Sequence, residues 1–218
     1  VTLLVQAPGA LTTVQDLGRL GHLRYGIPAS GPVDREAFIL ANRLVGNTDG
    51  AAAIECTIIG PKFELTEESV VAVTGAEMPV TLNGHEAPRW SAIRVKAGDV
   101  IRLGQSRSGL RAYLAVAGGI DVPLVLGSRS TYLRGRLGGY RGRPLEPGDL
   151  LSVGAAPVPS ERLAGRAVRP EAVPRYGAEV EVRVILGPQH DRFTPEGLAV
   201  FIQAPYQMTS ESDRMGAR

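Results

Sequence analysis

Cysteine, histidine and aromatic residues are all scarce in this chain. One cysteine among 218 residues, Cys56, excludes an internal disulfide framework and any multi-cysteine zinc site. The three histidines, His22, His85 and His190, lie far apart and lack the spacing of metal ligands, so no metal site is expected. Aromatic residues make up 5% and the net charge is only +2, which argues against nucleic acid as a partner. No apolar run reaches the roughly 18 residues of a membrane helix, and no basic-then-apolar leader opens the chain, so neither membrane nor secretion is expected. A lone cysteine fits a reducing cytoplasm. Also missing are G-x-x-x-x-G-K-S/T, G-x-G-x-x-G after a strand, G-x-S-x-G and H-E-x-x-H.

Turn formers are plentiful. The chain has 27 glycines and 16 prolines, a composition for many short strands, while 44% hydrophobic residues exclude general disorder. Two helices are expected. One runs from Asp34 to Val45, with Asp34 as N-cap and Gly46 as the stop; the other runs from Pro195 to Gln203, with Thr194 as cap. Strands are expected at 70–74, 93–96, 100–103, 111–117 and 179–186. Asn83-Gly84 signals a two-residue hairpin turn. A Gly-Asp turn leading into an alternating strand occurs twice, in VKAGDVIRLG (95–104) and LEPGDLLSVG (145–154). Residues 155–176 carry four prolines and no helix or strand period, so they are expected to form a linker or a loop over the surface. They separate a β-rich subdomain, 1–154, from a second unit, 177–218, that has too little chain to bury a core and is expected to be truncated.

Four stretches carry chemistry. TVQDLGRLGHLRYGIPASGPVD (13–34) sets Gln15, Asp16, Arg19, Ser30 and Asp34 among turn formers that hold polar groups in place. Glu55 interrupts an apolar strand and shares a face with Ala53 and Thr57. It is either paired, with Arg111 as a candidate, or functional. RAYLAVAGGIDVPLVLGSRST (111–131) brings Gly118-Gly119 and Gly127-Ser128-Arg129-Ser130, whose amides, hydroxyls and arginine suit a carboxylate, a carbonyl oxygen or a phosphate. Arg129, Arg134, Arg136, Arg141 and Arg143 have no acid between Asp121 and Glu146, so a cationic patch is expected there. SDRMG (212–216) contributes Asp213 and Arg214. Cys56, in the apolar run 51–59, is expected to be a buried hydrophobe rather than a nucleophile.

Taken in order, TVQDLGR, SGPVD, ANRLVGN (41–47), the Glu55 strand, TGA (74–76), AYLAVAGGID, LGSRST and SDRMG resemble the allophanate hydrolase subunit 2, or KipA-like, family. That family includes one component of the ATP-dependent 5-oxoprolinase and is similar to half of the carboxyltransferase domain of urea carboxylase. The resemblance implies a mainly β fold of cyclophilin-like barrel subdomains with few short helices. It implies lactam or amide hydrolysis, 5-oxoproline to glutamate, with a KipI-like subunit 1 and a LamB/YcsF-like component. ATP would be used by the complex, with no cofactor held by this chain alone. Two alternatives are carboxyl transfer to urea or another amide, with carboxybiotin on a partner, and a regulatory protein antagonising a kinase inhibitor. The roles assigned on this basis are Asp16 or Glu55 as acid/base, amides of Gly118, Gly119, Gly127 and Ser128 as oxyanion donors, and Arg19 or Arg214 as substrate clamp. Gln15, Ser30, Asp34, Asn42, Arg111, Ser130 and Asp213 are the further expected contacts.

Overall fold

The computed structural model describes residues 1–177 and 181–207. The chain divides into two compact units, Val1–Gly177 and Ala178–Arg218. The first unit is built on eleven strands in two antiparallel sheets. They are β1 (Thr2–Ala7), β2 (Leu11–Gln15), β3 (Ala53–Thr57), β4 (Lys62–Leu65), β5 (Ser69–Gly75), β6 (Val80–Leu82), β7 (His85–Ala87), β8 (Ala92–Val95), β9 (Val100–Leu103), β10 (Arg111–Val116) and β11 (Leu150–Ser152). The first sheet has the order β11-β1-β4-β9-β6-β7 and the second the order β2-β3-β10-β5-β8.

Period-two alternation decides what each sheet buries. Leu3 and Val5, Phe63 and Leu65, Ile101 and Leu103 from the first sheet meet Ile54, Cys56, Val71, Val73 and Leu114 from the second. The opposite face of the second sheet packs under helix α1 (Arg35–Leu44), through Phe38, Ala41, Leu44, Ala53, Ala72 and Ala115. The layers are therefore sheet, sheet and helix. Strand β5 is buried on both faces, which is why its sequence, SVVAVTG, has no polar side of its own.

Helix α1 begins where expected, because the Asp34 carboxylate accepts the Ala37 N–H at 3.0 Å. The Asn83-Gly84 turn joins β6 to β7 with both residues at positive φ, 52° and 83°. The two Gly-Asp turns are structural duplicates. Gly98 N–H bonds Leu65 O at 2.7 Å and Gly148 N–H bonds Val5 O at 2.8 Å, while Asp99 O and Asp149 O accept from Leu65 N–H and Val5 N–H. Each turn thus docks its strand, β9 or β11, onto one of the neighbours β4 and β1 at the middle of the first sheet.

Residues 155–177 run across the second sheet as a strap. They include a short helix, α2 (Ser160–Leu163), that the proline-rich composition did not announce. Leu163 is buried in the α1 layer, and Arg166 O accepts the Ala92 N–H at 2.7 Å. In the second unit, helix α3 (Pro195–Gln203) starts on a Thr194 cap, as expected. The strand expected over 179–186 is corrected: residues 181–186 form none, and 179–180 lie outside the described residues. Among the described residues no helix is long and apolar enough to cross a membrane.

Candidate functional site

The helix-side face of the second sheet carries a cross-strand row of polar residues, Thr13, Glu55, Tyr113 and Thr74. Thr74 Oγ1 donates to Ala37 O at 2.7 Å, holding α1 down. Glu55, buried, accepts the Val33 N–H and the Tyr113 hydroxyl on Oε2, both at 2.9 Å. The Tyr113 oxygen in turn accepts the Asp34 N–H at 2.7 Å. Tyr176, at the end of the strap, donates its hydroxyl to Asp34 Oδ2 at 2.7 Å. Burial first, then the nearby Glu55 charge, pushes the Tyr113 hydroxyl far above its ordinary range. This hydroxyl is thus a neutral donor to the carboxylate.

One row outward, Arg111 faces Thr57 across β10 and β3, and its Nη1 donates to Thr57 Oγ1. The expected Glu55–Arg111 pairing is not formed; the guanidinium goes to threonine instead. Its Nε–H is buried and has no partner. A donor left in that state is a costly defect unless a ligand oxygen meets it.

A second cluster surrounds Asp16, just after β2. Its Oδ1 accepts from Gly18 N–H at 2.9 Å and from the hydroxyls of Ser128 and Ser130, both at 2.6 Å; its Oδ2 accepts Arg129 N–H at 2.5 Å. Burial alone raises the Asp16 carboxyl, but the serine hydroxyls and the two amides together outweigh it and hold the group below the usual carboxylate range. Asp16 is a fixed, ionised anchor that ties the 15–19 turn to the 128–131 turn.

Arg19 is sealed into the same cluster. Its guanidinium donates to Ser130 O, to Ser30 Oγ at 3.3 Å and to Val125 O at 3.4 Å. Burial lowers its pKa, with the Asp16 charge opposing. Three of its N–H donors are thus spent on the protein and the residue is buried, so in this structure Arg19 ties loops together, whereas the expected clamp would need a donor open to substrate. Gln15, fully buried, donates its amide to Thr13 Oγ1 and Thr131 O at 3.0 and 3.3 Å, leaving Oε1 without a donor. The loop from Ser30 to Asp34 joins the two clusters, bonded to Arg19 at one end and to Glu55 and Tyr113 at the other.

Other expected residues lie elsewhere. Asn42, within α1, donates to Ala51 O at 2.9 Å and accepts from Asn47, and Asn47 Oδ1 accepts the Gly118 N–H at 2.8 Å. Gly119 N–H goes to Val116 O at 2.9 Å and Ser128 N–H to Val125 O at 3.3 Å. Three of the four amides expected as oxyanion donors are therefore already bonded. Gly127, at an exposed turn with Leu126, is the exception. Gly118 is needed for space, since a Cβ there would come within 2.0 Å of Gly154 O at a φ of +101°. Asp213 and Arg214 lie outside the described residues.

The cationic run is also corrected. Asp121 pairs with Arg129 at 3.1 Å, and Asp149 with Arg143 at 2.7 Å, so folding brings acids from beyond both ends of the run. Sequence reasoning missed Tyr113, Tyr176 and Asn47. A tyrosine inside the otherwise apolar strand YLAV was the available signal, since a buried phenol needs a partner. Among the described residues no group of His, Cys, Asp and Glu is arranged to hold a metal ion.

Residues 25–218 match the family model described as the carboxyltransferase domain, subdomain A and B. The chain is 42% identical over 224 residues to the urea amidolyase of Lachancea kluyveri, covering 98% of this chain and 12% of that protein. It is 37% identical over 210 residues to a 5-oxoprolinase subunit of Escherichia coli, covering 96% of this chain and 66% of that one. It thus spans less than two thirds of each of these relatives. Among solved structures, the K. lactis urea amidolyase superimposes with a TM-score of 0.91 at 39% identity, over 100% of this chain and 14% of that one. The structure of TTHA0988 gives a TM-score of 0.84 at 35% identity, over 100% of this chain and 77% of that one.

Proposed function

The chain belongs to the family of the carboxyltransferase domain, subdomain A and B, and from that premise we propose that it acts as one component of an ATP-dependent 5-oxoprolinase. In this reading it opens the 5-oxoproline lactam to glutamate within a cytoplasmic complex containing a KipI-like protein and a LamB/YcsF-like component. The observation that carries the reading is the 37% identity to the Escherichia coli 5-oxoprolinase subunit, across 96% of this chain.

Lactam opening needs a group that moves a proton to the departing nitrogen and a cation that holds the substrate carboxylate. Glu55 is the acid/base group in this proposal. It is buried and oriented by the Tyr113 hydroxyl and the Val33 amide. Arg111 is the clamp, because its unpaired Nε–H is a donor suited to a carboxylate oxygen. Asp16 and Arg19 hold the loops from which Ser30 and Asp34 project. A triphosphate needs several free amides in one concave turn, and the amides of Gly118, Gly119 and Ser128 are bonded within the chain. Those three amides offer no such cradle, and in this reading ATP is assigned to the complex.

A second reading, carboxyl transfer to urea or another amide from carboxybiotin on a partner, is favoured by the 42% identity to urea amidolyase. The two readings separate in one assay. Glutamate release from 5-oxoproline and ATP is measured in the complete mixture, with each component omitted in turn. Release that requires this chain supports the oxoprolinase; no release from the complete mixture, with biotin-protein-dependent ATP turnover on urea, replaces it by the second. Arg111→Ala should raise KM by about tenfold or more with a smaller change in kcat, and unchanged kinetics remove Arg111 from the site.

A further inference from the structure

The two sheets have four outer edges, at β11 and β7 and at β2 and β8. An open edge offers unpaired backbone groups to any passing strand, and three of these edges are managed. The β2 edge is covered by Thr131 and Leu145, whose N–H groups reach Val14 O and Thr12 O at 3.0 and 2.9 Å. The β8 edge is covered by the strap, through Ala92 N–H to Arg166 O and Gly165 N–H to Ala92 O at 2.7 and 3.0 Å. The β7 edge is three residues long and exposes His85 and Glu86.

Strand β11 differs. Asp149 O and Val153 N–H point at β1, so by alternation Leu150 and Ser152 present their backbone groups outward. Ser152 O takes the Asp121 N–H at 2.8 Å, after which the 121–125 segment diverges. No backbone bond of Leu150 to that side is formed among the described residues, and its side chain is 56% exposed. What the divergence leaves is a groove of about 480 Å³, walled by Val122, Pro123, Val125 and Leu137 and rimmed by Arg136 and Arg141.

The rim is cationic, with Asp149 near enough to feel the Arg141 charge but held in its ion pair by Arg143. The acids nearest in sequence are taken, Asp121 by Arg129 and both Glu146 and Asp149 by Arg143. Among the described residues no carboxylate lies within ion-pair distance of Arg136 or Arg141. Arg141 is instead held over the Tyr140 ring, 5.2 Å from its centre.

We propose that this groove is a docking site for an extended acidic segment of a partner protein, which adds to β11 as a further strand. The segment's backbone pairs with Leu150, an apolar side chain enters between Val122 and Leu137, and its carboxylates meet Arg136 and Arg141. The inference does not depend on which reaction the molecule serves.

The test uses the full chain and a fluorescent peptide, acetyl-Val-Glu-Val-Glu-Val-Glu-Val-amide, read by anisotropy and by hydrogen exchange. Saturable binding is expected, with slowed exchange at Leu150 and Ser152. Affinity should fall by at least about tenfold in the Arg136→Glu/Arg141→Glu variant, whose sites are exposed. The same peptide with lysine for glutamate should not bind. Equal binding of the two peptides, indifference to the charge reversal, protection confined to β7, or no binding up to millimolar peptide each overturns the proposal. Protection of Leu150 that grows with protein concentration and no peptide assigns the edge to a second copy. Protection at every dilution assigns it to the chain itself. Either of those results also overturns the proposal.

Discussion

Replacing Asp16 by asparagine isolates the charge of the loop anchor while keeping its shape. The carboxylate serves four donors: Gly18 N–H and two serine hydroxyls on Oδ1, and Arg129 N–H on Oδ2. The least costly orientation of the new amide places its NH2 against Arg129 N–H, setting donor against donor and leaving three bonds to a neutral oxygen. A hydrogen bond to a charged group contributes about 1.5–3 kcal/mol, and a buried unsatisfied donor costs about 1–3 kcal/mol. One such loss plus the weakening of the others amounts to roughly 2–4 kcal/mol. For a chain of this size that corresponds to a fall in Tm of about 4–16 °C, measured by calorimetry at pH 7. The pH dependence provides the sharper check. Because the folded carboxyl is held below its unfolded value of about 3.9, its contribution is complete above that value and is lost as pH falls through the lowered folded value. The gap between wild type and variant should therefore narrow below about pH 4. A Tm loss under about 1 °C at pH 7, or a loss that does not change with pH, refutes the anchor. An unmoved Tm with abolished glutamate release would return Asp16 to the acid/base role.

Two further outcomes follow from burial. Tyr113→Phe removes the acceptor of Asp34 N–H and a donor to Glu55, and should cost about 1–3 kcal/mol in denaturant titrations at neutral pH. The hydroxyls of Tyr113 and Tyr176 are both held above their ordinary range, by burial first and then by the nearby carboxylates. Their contribution is complete below about pH 10 and is lost above it, so wild type should lose stability more steeply than Tyr113→Phe between about pH 10 and 11; parallel curves would contradict this. Cys56, fully buried with its thiol pushed up to about 12, should not react with a disulfide reagent at pH 8 in the native state. It should react promptly in guanidinium, and rapid native labelling would count against the burial.

Local signals in the sequence are legible where the cause is local. The Asp34 and Thr194 caps, the Asn83-Gly84 hairpin and both Gly-Asp turns depend on residues within a few positions of one another, and all stand in the structure. The face of Glu55 also follows from alternation alone. The bonding of that face does not, because Tyr113 and Asp34 come from distant elements. The arginine run misleads for the same reason: charge balance is a property of space, and Asp121 and Asp149 return to it through the fold. Gly118 and Gly119 stand out in the sequence as unusual, and the structure uses them for close backbone approach and for bonds within the chain. Apolar residues at 182–186 suggest a strand, yet among the described residues no neighbouring strand gives that run a ladder to join.

Both polar clusters are stitched together by bonds between parts of the chain that are made at very different times. Ser130 follows Asp16 by 114 residues, and Tyr176 follows Asp34 by 142. At a synthesis rate of about 5–20 residues per second, the Asp16 carboxylate spends on the order of ten seconds in a nascent chain before its hydroxyl partners exist. Ser130 still precedes β11, so the Asp16 cluster can form before the first sheet is complete, whereas the Asp34–Tyr176 bond closes only after every strand of both sheets has been made. Removing the Tyr176 hydroxyl should therefore speed unfolding more than it slows folding, leaving the rate at which the sheets assemble nearly unchanged.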